Sequence, residues 1–145
     1  MKLLINNRKA HFKYEIVEAF EAGISLSGSE VKSLSLAHGN IEEAFVIIRK
    51  QEIFLLNMVI PKYKFNTQKT HEESRTRKLL MHKHEILKIE LLKKQDKLTI
   101  IPLSVYWSKG HIKIKIALGR GKKKHDKRET LKLRDDLRRM KDFDY

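Results

Sequence analysis

Basic residues are concentrated near the end of the chain, in an arrangement suited to contact with phosphate. Between Arg120 and Arg128, six of the nine residues are lysine or arginine, and Asp126 is the single acid. Each cation that reaches a phosphate releases a condensed counterion, so such contacts strengthen as salt falls. Glycines on both sides of Arg120 let the backbone follow another surface closely. The segment predicts binding to a polyanion; the alternative is a solvated tail that only adds solubility.

The residues after this basic run have the pattern of a short helix. Asp126 and Glu129 have the spacing of a capping box, and a thin stripe of apolar residues at helical spacing follows. So narrow a stripe does not hold a helix in water. We therefore predict a body over residues 1–118, with Gly119 ending its last strand. A basic tail over 119–145 is then disordered when free and helical when bound.

Two shorter basic clusters lie within the body. One follows Asn7 and consists of Arg8 and Lys9; the other is the run Arg75–Lys78. No ladder of aromatic residues suited to base stacking accompanies them. The clusters therefore predict that the body binds a folded RNA through its shape and phosphates rather than through base sequence.

The composition of the whole chain also favours a polyanionic partner. Its 145 residues fit one domain with appendages, and 32 basic residues against 18 acids give a net charge of +14. No lipidation motif or strongly amphipathic basic helix points to a membrane surface. The apolar run Leu3–Ile5 is too short for a signal peptide, and no stretch has the length of a membrane span. We therefore expect a cytoplasmic protein.

Residue patterns for enzymatic chemistry are missing from the sequence. There is no cysteine, which excludes a Cys nucleophile and a Cys-based zinc site. His82 and His84, two residues apart on a predicted helix, are expected to point to different faces and not to form a metal pair. The spacing of Gly119–Lys122 is not that of a nucleotide-binding P-loop. We predict no enzyme activity, no metal and no cofactor.

Alternating apolar and polar residues predict strands over much of the body. In the most regular of them, isoleucines alternate with Lys113 and Lys115, so that one face meets the core and the other presents lysines. Gly23 interrupts an earlier strand, which is typical of a bulge or a barrel corner. The first predicted strand begins at Tyr14, is broken at Gly23 and resumes with Ile24 and Leu26. A hairpin over 44–59, an extended segment over 79–81, and a second hairpin formed by 98–107 and 111–118 follow.

Two helices are predicted between these strands. Ser27 and Glu30 form a capping box that begins a helix running to about His38, and a second helical pattern covers 82–94. Strands arranged in hairpins with few helices favour an antiparallel barrel. The predicted fold is mainly β with helices: a small antiparallel OB-fold-like barrel with two or three packed helices and a flexible basic C-terminal tail.

Five stretches of the chain, in order and with compatible gaps, resemble the small protein B family of bacterial ribosome rescue. They cover nearly the whole chain. Any one of them alone is a weak indication, but all five in this order are specific for the family. The stretches are Asn7–Ala10 with Tyr14 and Ile16, Phe20–Ile24, Gly28–Leu34, Arg75–Leu80, and Gly121–Arg128.

The resemblance implies an RNA-binding adaptor that is not an enzyme. Such an adaptor binds the tRNA-like domain of transfer-messenger RNA (tmRNA) and delivers it to stalled ribosomes for trans-translation, which rescues the ribosome and tags the peptide. Its tail occupies the empty mRNA channel of the small subunit, next to the decoding centre. The implied partners are tmRNA, the ribosome and the elongation factor carrying the aminoacylated RNA. The protein is expected to be a monomer.

The resemblance also assigns residues to these roles, and Glu21 is added as a polar contact to the RNA elbow or, equally, as a plain surface acid. The family's usual arginine after Lys-Ser-Leu is Ser35 here, and Phe12 stands where a histidine is common. The predicted RNA-binding residues are Asn7, Arg8, Lys9, Glu21, Lys32, Arg75, Arg77 and Lys78. The predicted tail residues are Gly121, Lys122, Lys123, Lys124, His125, Asp126, Lys127 and Arg128, with His125 placed to stack on a decoding-centre base.

Two other classes of protein fit parts of these observations. A structural ribosomal protein with a basic extension is also basic, barrel-like and tailed. An enzyme that uses an OB-like module is disfavoured because no nucleophile, metal or nucleotide motif is found.

Overall fold

A computed structural model of the protein describes residues 1–62 and 73–121. In these residues the chain forms seven strands, which pair antiparallel, and three helices. The prediction of a mainly β, antiparallel fold with packed helices is thereby confirmed. The elements are β1 (Lys2–Asn6), α1 (Arg8–Lys13), β2 (Tyr14–Ile24), α2 (Gly28–Ser35), β3 (Phe45–Arg49), β4 (Glu52–Leu56), β5 (Arg77–Leu80), α3 (Lys83–Asp96), β6 (Thr99–Ser108) and β7 (His111–Gly121).

The last strand of the sheet pairs back with β6, the second strand in the order. The order is β1-β6-β3-β4-β5-β2-β7, and β7 pairs again with β6. Six strands therefore follow one another in a cycle, and β1 is added beside β6. The longest pairings are those of β7 with β2 and with β6, so β7 has a neighbour along nearly its whole length on both sides.

Both predicted hairpins are present, and their turns explain how they close. Lys50 and Gln51, between β3 and β4, have φ of 51° and 62°, and Lys109 and Gly110, between β6 and β7, have φ of 50° and 79°. Positive φ at both central residues matches the right-handed twist of the flanking strands. The first hairpin thus adopts the favoured backbone without a glycine.

The main core lies inside the cycle of strands. In β7, Ile112, Ile114 and Ile116 are buried, whereas the lysines between them face outward. Ile86 and Ile89 of α3 join the same core. Burying each such side chain contributes about 1.5–3 kcal/mol relative to leaving it exposed, so the alternation predicted from the sequence fixes which face of β7 turns inward.

A second, smaller apolar cluster lies on the outer side of the sheet, beneath α1. Ala10 of α1 is buried against Ile101, Leu103 and Ala117. Gly119 of β7 leaves room for Tyr14 at the start of β2, because a Cβ there would lie 2.9 Å from Cβ of Tyr14. Neither α1 nor β1 was predicted, since both are short and depend on this packing and on pairing with β6.

Two boundaries differ from the predicted ones. β2 continues through Gly23 to Ile24, so the break predicted at Gly23 is wrong. β7 continues to Gly121, with Arg120 opposite Glu15, so the strand does not end at Gly119. Glycine is tolerated at both positions because each is paired within the sheet. The capping box of Ser27 and Glu30 is confirmed at the start of α2.

None of the helices within residues 1–62 and 73–121 combines the length and the apolar character needed to cross a membrane.

Candidate nucleic-acid interface

One exposed face of the sheet brings together basic, acidic and aromatic side chains from three neighbouring strands. Glu21 of β2 is opposite Lys115 of β7, and Lys113 of β7 is opposite Tyr106 of β6. Residues two apart on a strand project to the same side, so both lysines face away from the buried isoleucines. We call these four residues the outer patch: Glu21, Tyr106, Lys113 and Lys115.

A hydrogen bond across β7 ties the acid of the outer patch to its aromatic ring. Oη of Tyr106 donates to Oε2 of Glu21 at 2.5 Å. Tyr106 is only 5% exposed, whereas Glu21 is exposed. Burial and the nearby carboxylate raise the pKa of Tyr106 well above its usual value. The hydroxyl therefore keeps its proton and serves as a donor at neutral pH.

The lysines of the outer patch are available to an anion. Lys115 is exposed and Lys113 half-buried. Among the residues that the structure describes, neither lysine forms an ion pair with a carboxylate. Ammonium groups of this kind bind phosphate oxygens, while an oriented carboxylate accepts hydrogen bonds from hydroxyl or amino groups.

Helix α1 lies beside the outer patch and extends its positive charge. Its buried Ala10 packs on Ala117, which is two residues, about 7 Å, along β7 from Lys115. Arg8 and Lys9 of the same helix are exposed. Two of the predicted RNA-binding residues therefore stand on the same side of the sheet as the outer patch.

Lys9 is paired on the surface, but weakly. Its Nζ lies 3.1 Å from Oε2 of Glu42, and the side chains are 54% and 45% exposed. Exposed pairs of this kind contribute at most about 1 kcal/mol. A phosphate can therefore replace Glu42 at little cost.

Asn7, by contrast, is an interior residue. It is 4% exposed, and its Nδ2 donates to the carbonyl oxygens of Pro102 at 2.9 Å and Ile41 at 3.4 Å. Its backbone N–H donates to the carbonyl of Leu103 at 2.8 Å. The side chain holds the start of α1 against β6, and the RNA contact predicted for Asn7 stays a prediction.

Within the second basic cluster, Arg77 turns inward. The side chains of Arg77 and Glu30 are 0% exposed and that of Arg75 is 33% exposed. Residues on β5 alternate between faces, so Arg77 and Leu79 point inward while Lys78 points out. Arg77 is therefore buried in this structure, and the RNA contact predicted for it stays a prediction.

The two arginines bind the carboxylate of Glu30, and we call these three residues the interior cluster. Nε of Arg77 donates to Oε2 of Glu30 at 2.7 Å, and Nη2 of Arg75 donates to Oε1 at 2.5 Å. Arg77 also donates from Nη1 to the carbonyl oxygen of Met58 at 2.7 Å. The cluster joins the first turn of α2 to β5 and to Met58, which follows β4.

Two opposing effects act on Glu30. Burial acts to raise its pKa, but hydrogen bonds from Arg75, the backbone N–H of Ser27 and Arg77 outweigh burial, and the pKa lies below its usual value. Glu30 is therefore ionised in the folded protein at neutral pH. The cluster is therefore a charge-paired support between α2 and β5.

Lys78 and its neighbours continue the outer face across another strand. The Lys78 side chain is 49% exposed and its Nζ lies 3.7 Å from Glu52. Leu80, 55% exposed, is opposite Gly23, which is in turn opposite Lys113. Of the predicted Arg75–Lys78 run, Lys78 is thus the residue that the fold leaves on this face.

Lys32 lies at an exposed position in the last turn of α2. It follows Val31, which lines a groove together with Leu80 and Lys113. The helix therefore borders the face that carries the outer patch. Ser35, the departure from the family pattern, donates from Oγ to the carbonyl oxygen of Val31 at 2.8 Å.

The predicted tail residues are almost all beyond the structure described. Gly121 is the last residue of β7, opposite Tyr14. The remaining ones lie outside the described residues, so their predicted roles stay predictions: Lys122, Lys123, Lys124, His125, Asp126, Lys127 and Arg128.

The described residues contain no group of three or more His, Asp or Glu side chains arranged to hold a metal ion. His82 and His84 do not point apart as expected. Their rings stack, with centroids 5.6 Å apart and planes 11° from parallel, because His82 is the N-cap of α3 and lies outside the helix.

The sequence did not predict that Tyr106 binds Glu21 or that Glu30 pairs with Arg75 and Arg77. The alternation in β7 correctly placed Lys113 and Lys115 outward, but no local signal links them to Tyr106 or Glu21. Glu30 was recognised as part of a capping box, and its backbone contact to Ser27 is present at 2.9 Å. Its pairing with arginines more than forty residues away is a product of tertiary folding.

Comparisons with known proteins agree with one another. The sequence model of the SmpB protein family matches residues 4–143. SsrA-binding protein from Mycoplasmoides gallisepticum is 54% identical, over 99% of this chain and 100% of that protein. The SsrA-binding protein from Chlamydia muridarum is 47% identical, over 97% and 93%. A chain from a structural study of tmRNA-SmpB at the center of the bacterial ribosome superposes with a TM-score of 0.69, at 36% identity, over 88% of this chain and 93% of that one.

Proposed function

Because this chain belongs to the SmpB family, we propose that it is an RNA-binding adaptor of trans-translation. It binds the tRNA-like domain of tmRNA and delivers it to stalled ribosomes, where the tail occupies the empty mRNA channel. Relatives at about half identity are named SsrA-binding proteins, and a solved relative comes from a study of tmRNA-SmpB in the ribosome. The adaptor acts in the cytoplasm and carries out no chemical step itself.

The observation that carries this proposal is the outer patch with α1 beside it. Lys113, Lys115, Arg8 and Lys9 offer cations on one side of the body, and Glu21 offers an oriented acceptor between them. Phosphates fix the position of an RNA, and a carboxylate recognises hydroxyl or amino donors. A folded RNA such as the tRNA-like domain presents both kinds of group on one surface.

We infer that the cycle of six strands forms an OB-fold-like barrel, in which α3 closes one end. The pairing of β7 with both β2 and β6 supports closure, as do the core residues that α3 contributes. An OB-fold binds nucleic acid on its strand face, which is where the outer patch lies.

Binding is tested with the full chain and an in vitro transcript of the tRNA-like domain of tmRNA. We expect affinity to fall linearly on a log–log plot against salt, with a slope of about 0.7–0.9 per phosphate contact. A duplex RNA of equal length is the control and should bind more weakly. Equal affinity for both RNAs contradicts the adaptor function and favours a structural ribosomal protein, which stays on subunits in high salt.

The tail is proposed to act after RNA capture. Removing everything after Gly121 leaves all the strands of the described residues intact, because Gly121 is the last residue of β7. We expect the truncated protein to keep its thermal transition and most of its RNA affinity, while peptide tagging on stalled ribosomes is lost. Loss of RNA binding on truncation contradicts this division of roles.

Sensing of the empty channel is tested by comparing two ribosome complexes. Tagging should be efficient when the mRNA ends in the P site and poor when it extends well past the A site. His125→Ala should slow accommodation without changing RNA capture, because stacking on a base contributes about 1–3 kcal/mol. Equal tagging on both complexes contradicts a tail that occupies the channel.

A further inference from the structure

Two side chains compete for the carboxylate of Glu21. Lys115 is directly opposite Glu21 on the neighbouring strand, and opposite residues have Cβ atoms about 4.5–5.5 Å apart, close enough for an ion pair. Yet Oε2 of Glu21 accepts a hydrogen bond from Tyr106 at 2.5 Å. Within the described part of the chain, Lys115 forms no ion pair with a carboxylate.

The difference in burial explains why tyrosine prevails. Tyr106 is 5% exposed, so its hydroxyl has little access to water, and losing Glu21 would leave a buried donor unsatisfied. Lys115 is exposed and keeps its hydration when it is unpaired. An exposed ion pair with Glu21 would add little stability. The free energy therefore favours the bond to Tyr106.

We propose that Tyr106 is a positioning residue, which holds the carboxylate of Glu21 away from Lys115 so that the acid and the lysine can each bind RNA. This inference rests on the proposed function of the outer patch in binding tmRNA. Lys113 and Lys115 then contact phosphates, and Glu21 accepts a hydrogen bond from a hydroxyl or amino group of the same RNA. Without the Tyr106 hydroxyl, Glu21 turns to Lys115, and the RNA reaches either group only by breaking their ion pair.

The test uses the full chain and the tRNA-like domain transcript over a series of salt concentrations. Tyr106→Phe keeps the ring and removes the hydroxyl. We expect its affinity to fall by up to about 5-fold, because the RNA must break one exposed ion pair in order to bind. We also expect its salt slope to be shallower by up to about 0.7–0.9, the slope of one phosphate contact. Adding Glu21→Gln to Tyr106→Phe should restore the slope, because Lys115 is then free again.

The control is Lys115→Ala, in which there is no lysine for Glu21 to pair with. There, adding Tyr106→Phe should leave the slope unchanged. A second measurement needs no variant of Tyr106: side-chain NMR couplings of Glu21 in the free wild-type protein should report a single rotamer.

Several results would overturn the proposal. They are an unchanged slope in Tyr106→Phe, no restoration in the double variant, or a Glu21 side chain averaged over rotamers. If the wild-type protein binds the transcript but these effects are missing, the positioning role fails and the adaptor function stands. If the wild-type protein does not bind the transcript, the proposed function itself fails.

Discussion

The interior cluster and the outer patch are built from similar residues and have opposite properties. In the interior cluster Arg77 and Glu30 are fully buried and paired. In the outer patch Lys115 and Glu21 are exposed and, although opposite each other, are kept apart by Tyr106. Both regions combine cations with one carboxylate on neighbouring elements. What separates them is the face of the sheet on which the side chains lie.

This comparison shows that a positive residue does not by itself indicate an RNA contact. Arg77 stands in a run of basic residues, yet its guanidinium forms an ion pair with Glu30 and donates hydrogen bonds to backbone carbonyls. Lys113 and Lys115 stand singly among isoleucines, yet they face solvent. The expected consequences of substitution are therefore opposite: stability changes in the interior cluster and salt-dependent binding changes in the outer patch.

The largest expected effect is that of Arg77→Met on stability. The substitution leaves the negative charge of Glu30 buried with only Arg75 to pair with it. Removing one partner of a buried ion pair typically lowers the free energy of unfolding by about 3–5 kcal/mol. Urea unfolding should show this loss. Lys78→Met is the matched control one residue away, and because its side chain is exposed it should change stability by no more than about 0.5 kcal/mol. Equal effects of the two substitutions would contradict the assignment of Arg77 to the interior and of Lys78 to the surface.

An acid-dependent loss of stability should follow from Glu30. Its pKa in the folded protein is below the reference value of 4.5, so its contribution is complete above that pH. The contribution is lost as pH falls through the folded pKa, when the unfolded chain has already bound a proton. Unfolding free energies measured between neutral pH and pH 3 should show the advantage of wild type over Glu30→Gln shrinking with acid. A constant difference over this range would show that Glu30 is not the titrating group.

The double substitution Lys113→Ala with Lys115→Ala is expected to have the smallest effect on stability. It should instead weaken RNA binding. Stability should change by no more than about 0.5 kcal/mol. The salt slope of RNA binding should fall by about 1.4–1.8, for two lost phosphate contacts. Lys93→Ala with Lys94→Ala on α3 removes the same charge elsewhere and should reduce the slope less. Equal reductions would mean that net charge, rather than the outer patch, governs binding.

Much of the fold could be predicted because its signals are local. The alternation of isoleucine and lysine in β7, the capping box at Ser27 and the helical pattern after His82 each depend on residues close in sequence. The elements that were missed, β1 and α1, owe their formation to distant partners: pairing with β6 and packing on Ala117. The tail, from Lys122 onward, lies outside the described residues, so its predicted helix remains untested.

The amino-acid sequence alone determined the basic character, the antiparallel strands and the outward face of β7, because charge and alternation are properties of neighbouring residues. Only the tertiary structure decided that Arg77 is inside, that Asn7 holds α1, and that Tyr106 reaches Glu21 across β7. The physical reason is that a charged side chain is buried only where a partner of opposite charge meets it. For Arg77 that partner is Glu30, forty-seven residues away in the chain.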